Sequence, residues 1–591
     1  MNDEYARRLG LWAARIEDLD RTHFVLSNLR LLLAGVFVAL AWLAFARSVL
    51  SPAWTLVPAI AFGGLLVVHA RVLNRAERGR RAHRLYQRGL ERLAGRWAGT
   101  GMDGSRFLDD HPYARDLDLF GRGSLFELID TARTEAGEET LAGWLKSGAA
   151  IDEVRARQAG VDELRGRLDF REELAVLADE GSVSRTGAVA RWAASAPIGI
   201  GPLVPLLFGI CAAVLLGLAV LAYQGIVSWS LVLGWLLVEA ALVWGSRRRT
   251  QLVTARVGKP ADDLAIMTEL LERVEREPLA APRLGAVQAA LQAGGVRASR
   301  AVRRLTHLVS LHESSTHNLL FMPFTMALLV PEHLAIAIDR WHARHGPAVA
   351  GWLRALGELE ALAAIATYAS EHPGDPFPEI IDAGPVFHAS VLGHPLMTDE
   401  VSVRNDVRLG GDAPQVIVVS GSNMSGKSTL LRAIGTNVVL ALAGAPVRAA
   451  ALRLSPLAVG ATLRIEDSLQ AGHSRFYAEI VRIRGIVDIA RGPIPLLFLL
   501  DEILHGTNSF DRRIGAEGIV RALAGCGAIG LVTTHDLALT ELPPLLGSRA
   551  VNMHFEDRLE NGVMVFDYRM RPGVVEHSNA LALMRAIGLD V

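Results

Sequence analysis

Apolar residues gather in four runs along this 591-residue chain. Leu31 to Ala46 carries no charge and is bracketed by Arg30 and Arg47. Pro52 to Ala70 follows after a very short turn. Ile198 to Tyr223 is uncharged, and Ile226 to Gly245 contains only Glu239. A bilayer span needs about 20 apolar residues. The first run is short, but its flanking arginines can snorkel. The runs come in pairs, so they predict two transmembrane helical hairpins, at 31–70 and 197–245. A cleaved signal peptide is disfavoured, because Asp3, Glu4, Glu17 and Asp18 precede the first run. Buried soluble helices are the competing account. Glu239 is expected either to face a partner helix or to snorkel from near the end of its run.

Arginines flank these runs on one side. Arg7, Arg8, Arg15 and Arg21 precede the first pair, Arg71, Arg75, Arg78, Arg80 and Arg81 follow it, and Arg247, Arg248 and Arg249 follow the second. The positive-inside rule then predicts a multi-pass protein of the cell (inner) membrane, with both termini and the central segment in the cytoplasm. Residues 1–30 form the cytoplasmic N-terminal segment and 71–104 an Arg-rich helical linker.

Elsewhere the periodicity changes twice. Residues 105–191 and 258–372 repeat apolar positions every three or four residues, as in Leu264, Met267, Leu271 and Val274, which predicts amphipathic helices. Arg297, Arg300, Arg303 and Arg304 form a basic stripe there, read first as a solvated helix face. After Pro376 short apolar runs alternate with helical patterns: Gln415–Ser420, Pro495–Leu500 and Ala528–Thr533. Continuous apolar strands of this kind predict a parallel sheet covered on both faces.

The first of those strands runs into Gly421, Ser422, Asn423, Met424, Ser425, Gly426, Lys427, Ser428 and Thr429, then a helix. This is a phosphate-binding P-loop in its strand–loop–helix setting, whose backbone amides curl around phosphate oxygens at a helix N-terminus. Lys427 is assigned to the β- and γ-phosphates and Ser428 to Mg²⁺. The second strand delivers Asp501 and Glu502, the first for the metal shell and the second to polarise an attacking water. The third ends at Thr533, Thr534 and His535, whose imidazole is placed to sense the γ-phosphate.

Composition adds limits. A net charge of -1 excludes a globally basic nucleic-acid-coating protein. A hydrophobic fraction of 51% beside 21% charged excludes a disordered chain. The mean hydropathy of +0.28 agrees with membrane runs. Lysine occurs only at 146, 259 and 427, so its retention in the P-loop stands out. Cys211 and Cys526 cannot build a disulfide framework, and both are expected to be small buried hydrophobes.

The stretch between the P-loop and the acidic strand points to a family. It reads Asp467-Ser468-Leu469-Gln470-Ala471-Gly472-His473-Ser474-Arg475-Phe476-Tyr477-Ala478-Glu479, and Gly506-Thr507-Asn508-Ser509-Phe510-Asp511 follows the acidic pair. With the P-loop and Thr534-His535, in that order, the chain resembles the MutS family of DNA mismatch-repair ATPases. The likeness extends to Gly393-His394-Pro395, Asn405-Asp406-Val407, Pro572-Gly573 and Ser578. It also reaches Gly123 to Asp130 and Ile151 to Gln158, like the start of the MutS core, and Glu358 to Ala366, like its end. The resemblance implies an α/β P-loop (ABC-type) ATPase domain over 380–591, preceded by an all-α core and lever domain (105–191 and 258–372) into which the hairpins are set.

It further implies ATP and Mg²⁺ as cofactors and a homodimer through the ATPase heads. Ser474 of one subunit would complete the other's nucleotide site. The resemblance leaves contact with DNA open and leaves other repair proteins unknown, and the lipid bilayer is this chain's addition. Departures are equally plain. Residues 1–104 hold a hairpin and an Arg-rich stretch without a Phe-x-Glu wedge. Ser402 stands where relatives carry an aromatic and Arg404 where they carry proline, so adenine stacking is expected to differ. Asn579-Ala580 replaces an aromatic-Gly. Three classes follow: a membrane-anchored MutS-like ATPase, favoured; an ATP-driven transport or membrane-remodelling machine; and a scaffold without turnover, against which Glu502 and His535 argue.

Overall fold

The computed structural model describes residues 1–179, 186–201, 203–292, 295–317, 322–422, 424–464, 475–560 and 563–575. Four helical stretches among these are long and apolar enough to cross a membrane: Asn2–Ala46, Pro52–Leu93, Leu203–Tyr223 and Trp229–Arg276. The first comprises α1 (Asn2–Ala41) and a closing π-helical turn, and the second contains α2 (Leu56–Leu93). They lie antiparallel, with His69 between His23 (2.7 Å) and Arg30 (2.9 Å). Both helices run through the expected domain boundaries at 30 and 71. Their polar portions contain no proline and carry pairs such as Arg8–Glu4 at i,i+4, which sustain a helix beyond an apolar run.

Helices α3 (Leu125–Ile129), α4 (Glu135–Lys146), α5 (Ile151–Arg165), α6 (Leu168–Ala178) and α7 (Thr186–Ala194) form the first half of the core. Then α8 (Leu203–Tyr223) and α9 (Trp229–Arg276) make the second apolar hairpin. At 48 residues α9 is about 72 Å long. It continues unbroken from Trp229 through Pro260 into the core, where Leu264, Met267, Leu271 and Val274 are buried as their spacing predicts. Glu239 is 3% exposed, so it packs inward and does not snorkel. The outer faces of all four helices stay apolar and uncovered, as at Leu31, Ile60, Leu203 and Leu237, each more than 70% exposed. A water-facing surface of this kind would be strongly unfavourable.

Helices α10 (Pro282–Leu291), α11 (Ala298–His317), α12 (Met322–Ala327) and α13 (Val330–Glu371) complete the helical part. The 42-residue α13 is its spine, burying Trp352, Leu356, Leu359 and Ala366 against the first half of the core. Where α4 meets it, burial pushes Asp130 up to about 8 and Glu360 up to about 7. At the far end of α13, Arg92 of α2 donates to Glu371 at 2.8 and 2.6 Å, and the Tyr5 hydroxyl of α1 donates at 3.2 Å. Hairpin 1 is fastened to the core there.

The C-terminal domain holds two sheets. Strands β1 (Glu379–Ile380), β2 (Val386–Leu392), β3 (Asn405–Gly410) and β5 (Ala451–Leu454) form one, in the order β1-β5-β2-β3. Strands β4 (Val416–Ser420), β6 (Ala458–Thr462), β7 (Leu496–Asp501), β8 (Ile529–Thr534), β9 (Ala550–Glu560) and β10 (Val563–Pro572) form the other, in the order β10-β9-β4-β8-β7-β6. All its pairs but β9–β10 are parallel. The three strands expected from sequence are β4, β7 and β8. Their residues alternate between two cores, Ile417 and Val419 entering one and Val416 and Val418 the other. That is why they read as unbroken apolar runs. Helices α14 (Lys427–Ala443), α15 (Arg475–Ala490), α16 (Ser509–Gly525) and α17 (Leu542–Leu546) cover the sheet.

One cysteine expectation is corrected. Cys211 is buried, but Cys526 is exposed, because it lies at the C-terminal cap of α16 where that helix reaches the surface.

Candidate functional site

The order β4-β8-β7 brings the ends of three strands side by side, and the candidate residues sit on those ends. The loop after β4 needs unusual backbone at Gly426 (φ 102°) and Met424 (φ 72°), and Gly426 opens α14. A side chain at 426 would also meet the Tyr568 ring, 3.1 Å from its Cβ. Such backbone turns amide groups inward as a cradle for anions. Among the described residues, the Ser422 and Ser425 hydroxyls inside the loop are buried without a hydrogen-bond partner. Buried polar atoms are nearly always paired, so two orphans in one loop fit a site that receives an oxyanion. Asn423 lies outside the described residues.

Lys427 is the first residue of α14. Its Nζ donates to the carbonyls of Gly421 (2.9 Å) and Ser422 (2.8 Å) and lies 3.6 Å from Glu502 Oε1. Burial pushes this ammonium below its ordinary value, while Glu502 and Asp501 pull it back up. Next to it, Ser428 Oγ donates to Asp501 Oδ2 at 2.6 Å. Thr533 of β8 donates to the other carboxylate oxygen of Asp501. A hydroxyl and a carboxylate held together by three elements are an oxygen donor pair suited to Mg²⁺, a hard cation.

Glu502 occupies left-handed backbone (φ 47°), as does Leu504 (φ 59°). Such conformations cost about 1–3 kcal/mol each and persist where the surroundings impose them. Here the Glu502 amide donates to the Thr533 carbonyl and hydroxyl, both at 3.2 Å, and the Leu504 amide donates to the buried carboxylate of Glu479. Glu479 closes the segment that carries Ser474, so its place in that pattern has a structural cause. His535 Nδ1 lies 3.3 Å from Glu502 Oε1. Asp511 pairs with Asn508 at the cap of α16 and takes no part in the site.

Above this floor lies a cleft of about 620 Å³. His394, Met397, Val401, Ser402 and Val403 line one side, and Phe555 and Tyr568 the other. Burial pushes the His394 imidazole down to about 4. Arg404 turns out to Asp399 at 2.6 Å. Met397, Val401 and Val403 surround Ser402 with apolar side chains, and the cleft's aromatic residues are Phe555 and Tyr568. Tyr568, held at φ 55° with its carbonyl accepting from Asn405, went unrecognised in the sequence because it sits in β10, far downstream. His505 was also missed. Its ring lies 5.2 Å from that of His535, and it joins Glu502 and His535 in a cluster whose ligand atoms lie within 4.8 Å of one another. The structure thus brings together Gly421, Ser422, Met424, Ser425, Gly426, Lys427, Ser428, Thr429, Asp501, Glu502 and His535. Ser474, Ser578 and Asn579-Ala580 lie outside the described residues.

The site is also wired to the helical core. Asp116 is buried and accepts from the Leu463 (2.7 Å) and Arg464 (2.8 Å) amides and from Arg482 of α15. Arg432 of α14 donates to the Asp116 carbonyl at 3.0 Å. Helices on both sides of the sheet therefore bear on one core loop.

Comparison with known proteins places this part of the chain beside one family. Residues 417–590 match the family model for MutS domain V. The chain is 32% identical over 240 residues to the DNA mismatch repair protein MutS 2 of Halobacterium salinarum, covering 40% of this chain and 27% of that protein. It is 30% identical over 251 residues to the DNA mismatch repair protein MutS of Brevibacillus brevis (42% and 28%). The DNA mismatch repair protein MSH3 of Phaeosphaeria nodorum matches at 30% over 239 residues (39% and 21%). The chain thus spans about a quarter of the length of these curated relatives, and its C-terminal part is MutS-like.

Proposed function

We propose that this chain is a membrane-anchored MutS-like ATPase, whose C-terminal head binds and hydrolyses ATP and passes the cycle to the long helices of the core. The observation that carries this reading is the convergence of Lys427, the Ser428–Asp501 pair, Glu502 and His535 around a loop with two orphaned hydroxyls. Lys427 exchanges its carbonyl partners for the β- and γ-phosphate oxygens of ATP. Ser428 and Asp501 would hold Mg²⁺, which when bound would supply charge neutralisation at the transferred phosphoryl group. Glu502 takes a proton from the attacking water, and His535 steadies that carboxylate. Tyr568 and the apolar side chains of Met397, Val401 and Val403 receive the base. Two heads pair as a homodimer, each completing the other's site with Ser474. On this reading the protein sits in the inner membrane through its two apolar hairpins, with the heads in the cytoplasm; the four long apolar helices support it.

A second reading, contact with DNA, is favoured by Arg300, Arg303 and Arg304 of α11 and Arg297 just before it, all four of which are exposed. Duplex phosphates would be met there, with strong salt dependence. One assay bears on both readings. The full chain in lipid nanodiscs should hydrolyse ATP with Mg²⁺ and stop when the metal is chelated; turnover indifferent to chelation would overturn the assignment. If duplex DNA at low salt leaves the rate unchanged and does not bind, the second reading is wrong.

A further inference from the structure

Residues 198, 199 and 200, just before α8, donate their amides to the Asp339 carboxylate of α13 at 2.8, 3.0 and 3.2 Å. From that tie α13 runs back toward its N-terminus alongside α8. His333 meets Phe208 with ring centroids 6.2 Å apart. Leu329 and Ile336 are buried in one cluster with Phe208 and Cys211. Ala327, at the end of α12, packs against the cluster that Leu215, Ala222 and Val232 form. Leu215 is some twelve residues into α8, about 18 Å along its axis at 1.5 Å per residue. If α8 crosses a hydrocarbon layer about 30 Å thick, the turn between α12 and α13 lies inside it.

The composition of the turn suits that depth. Met322 to Pro331 contains no charged residue, and Glu332, the first one after it, is buried. Phe324 (69% exposed) and Met326 (42%) point away from the protein. The chain reversal closes its own backbone, with the Leu328 amide on Phe324 O and the Leu329 amide on Met326 O, both at 3.1 Å. Thr325 Oγ1 donates back to Ser315 O of α11 at 2.7 Å. Internal satisfaction of this kind is what hydrocarbon requires of a non-helical turn.

We infer that the α12–α13 turn is a re-entrant membrane wedge, which enters the bilayer from the cytoplasmic side beside α8, presents Phe324 and Met326 to lipid acyl chains, and does not cross. The inference rests on the reading of hairpin 2 as membrane-spanning. It makes the bilayer the place where α13, whose other end abuts the ATPase domain, delivers its motion.

The test is depth-dependent fluorescence quenching of the full chain in nanodiscs, in a Cys211→Ser, Cys526→Ser background. An environment-sensitive probe is attached at Phe324→Cys, Met326→Cys, Leu216→Cys on the outer face of α8, or Arg300→Cys on α11. Lipids carrying a mid-chain nitroxide should quench positions 324 and 326 as strongly as 216 and leave 300 bright. Quenching at 216 with 324 and 326 as bright as 300 would overturn the wedge and leave the spanning hairpin intact. No quenching at 216 would remove the spanning reading, and the wedge with it.

Discussion

Glu502→Gln should lower ATP turnover by about 10²–10⁴-fold, the range associated with losing a positioned general base, while ATP still binds. The side chain lies 3.6 Å from Lys427 Nζ and 3.3 Å from His535 Nδ1, at the end of the strand that also carries Asp501. Glutamine keeps its shape but cannot accept the proton of an attacking water. Phosphate contacts depend on Lys427 and the loop, which the change leaves in place. It also removes a negative charge beside Lys427, so affinity for ATP should hold or rise. Single-turnover hydrolysis and fluorescent-nucleotide binding separate the two effects. A variant that turns over within about threefold of the parent would show that another group activates the water.

Glu371→Ala should be among the most damaging single changes outside the site. The Glu371 side chain is 1% exposed and that of Arg92 9%. Removing one partner of a buried pair strands the other charge and costs about 3–5 kcal/mol. The Tyr5 hydroxyl, which burial pushes up to about 12, loses its acceptor as well. Because these groups fasten α1 and α2 to the end of α13, the damage should be local. Limited proteolysis should cut between hairpin 1 and the core well below the temperature that unfolds the head. The double change Arg92→Leu with Glu371→Leu, which leaves no buried charge, should recover much of the loss. A Glu371→Ala chain as protease-resistant as the parent would refute the fastening role.

The sequence disclosed the floor of the site and concealed its walls. Gly421 to Thr429, Asp501, Glu502 and His535 could be placed because each follows an apolar run, and a parallel sheet puts such run-ends at one edge. Tyr568 could not, because it faces the loop only through the pairing of β10 with β9, a contact between distant segments. The left-handed backbone at Glu502 and Leu504 has no local signal either, since neither residue favours it; Thr533 and Glu479 impose it. Both hairpins were legible by length. Their reach was not: α9 passes through Pro260, and α1 and α2 continue well past the apolar runs, because i,i+4 pairs and core packing extend them. The α12–α13 turn escaped for the opposite reason. It is apolar but far too short to satisfy a rule built on crossing.

Turnover by mixed subunits tests the central claim of a MutS-type head most directly. In a chain with Ser474→Ala the P-loop is intact, and in a chain with Lys427→Ala the serine is intact. Each should be inactive alone. If sites are shared across a closed dimer, half of the dimers in an equal mixture are mixed and hold one complete site of two, so activity should return to about a quarter of the parent level. A mixture as inactive as its components, or a Ser474→Ala chain with full turnover, would contradict the account.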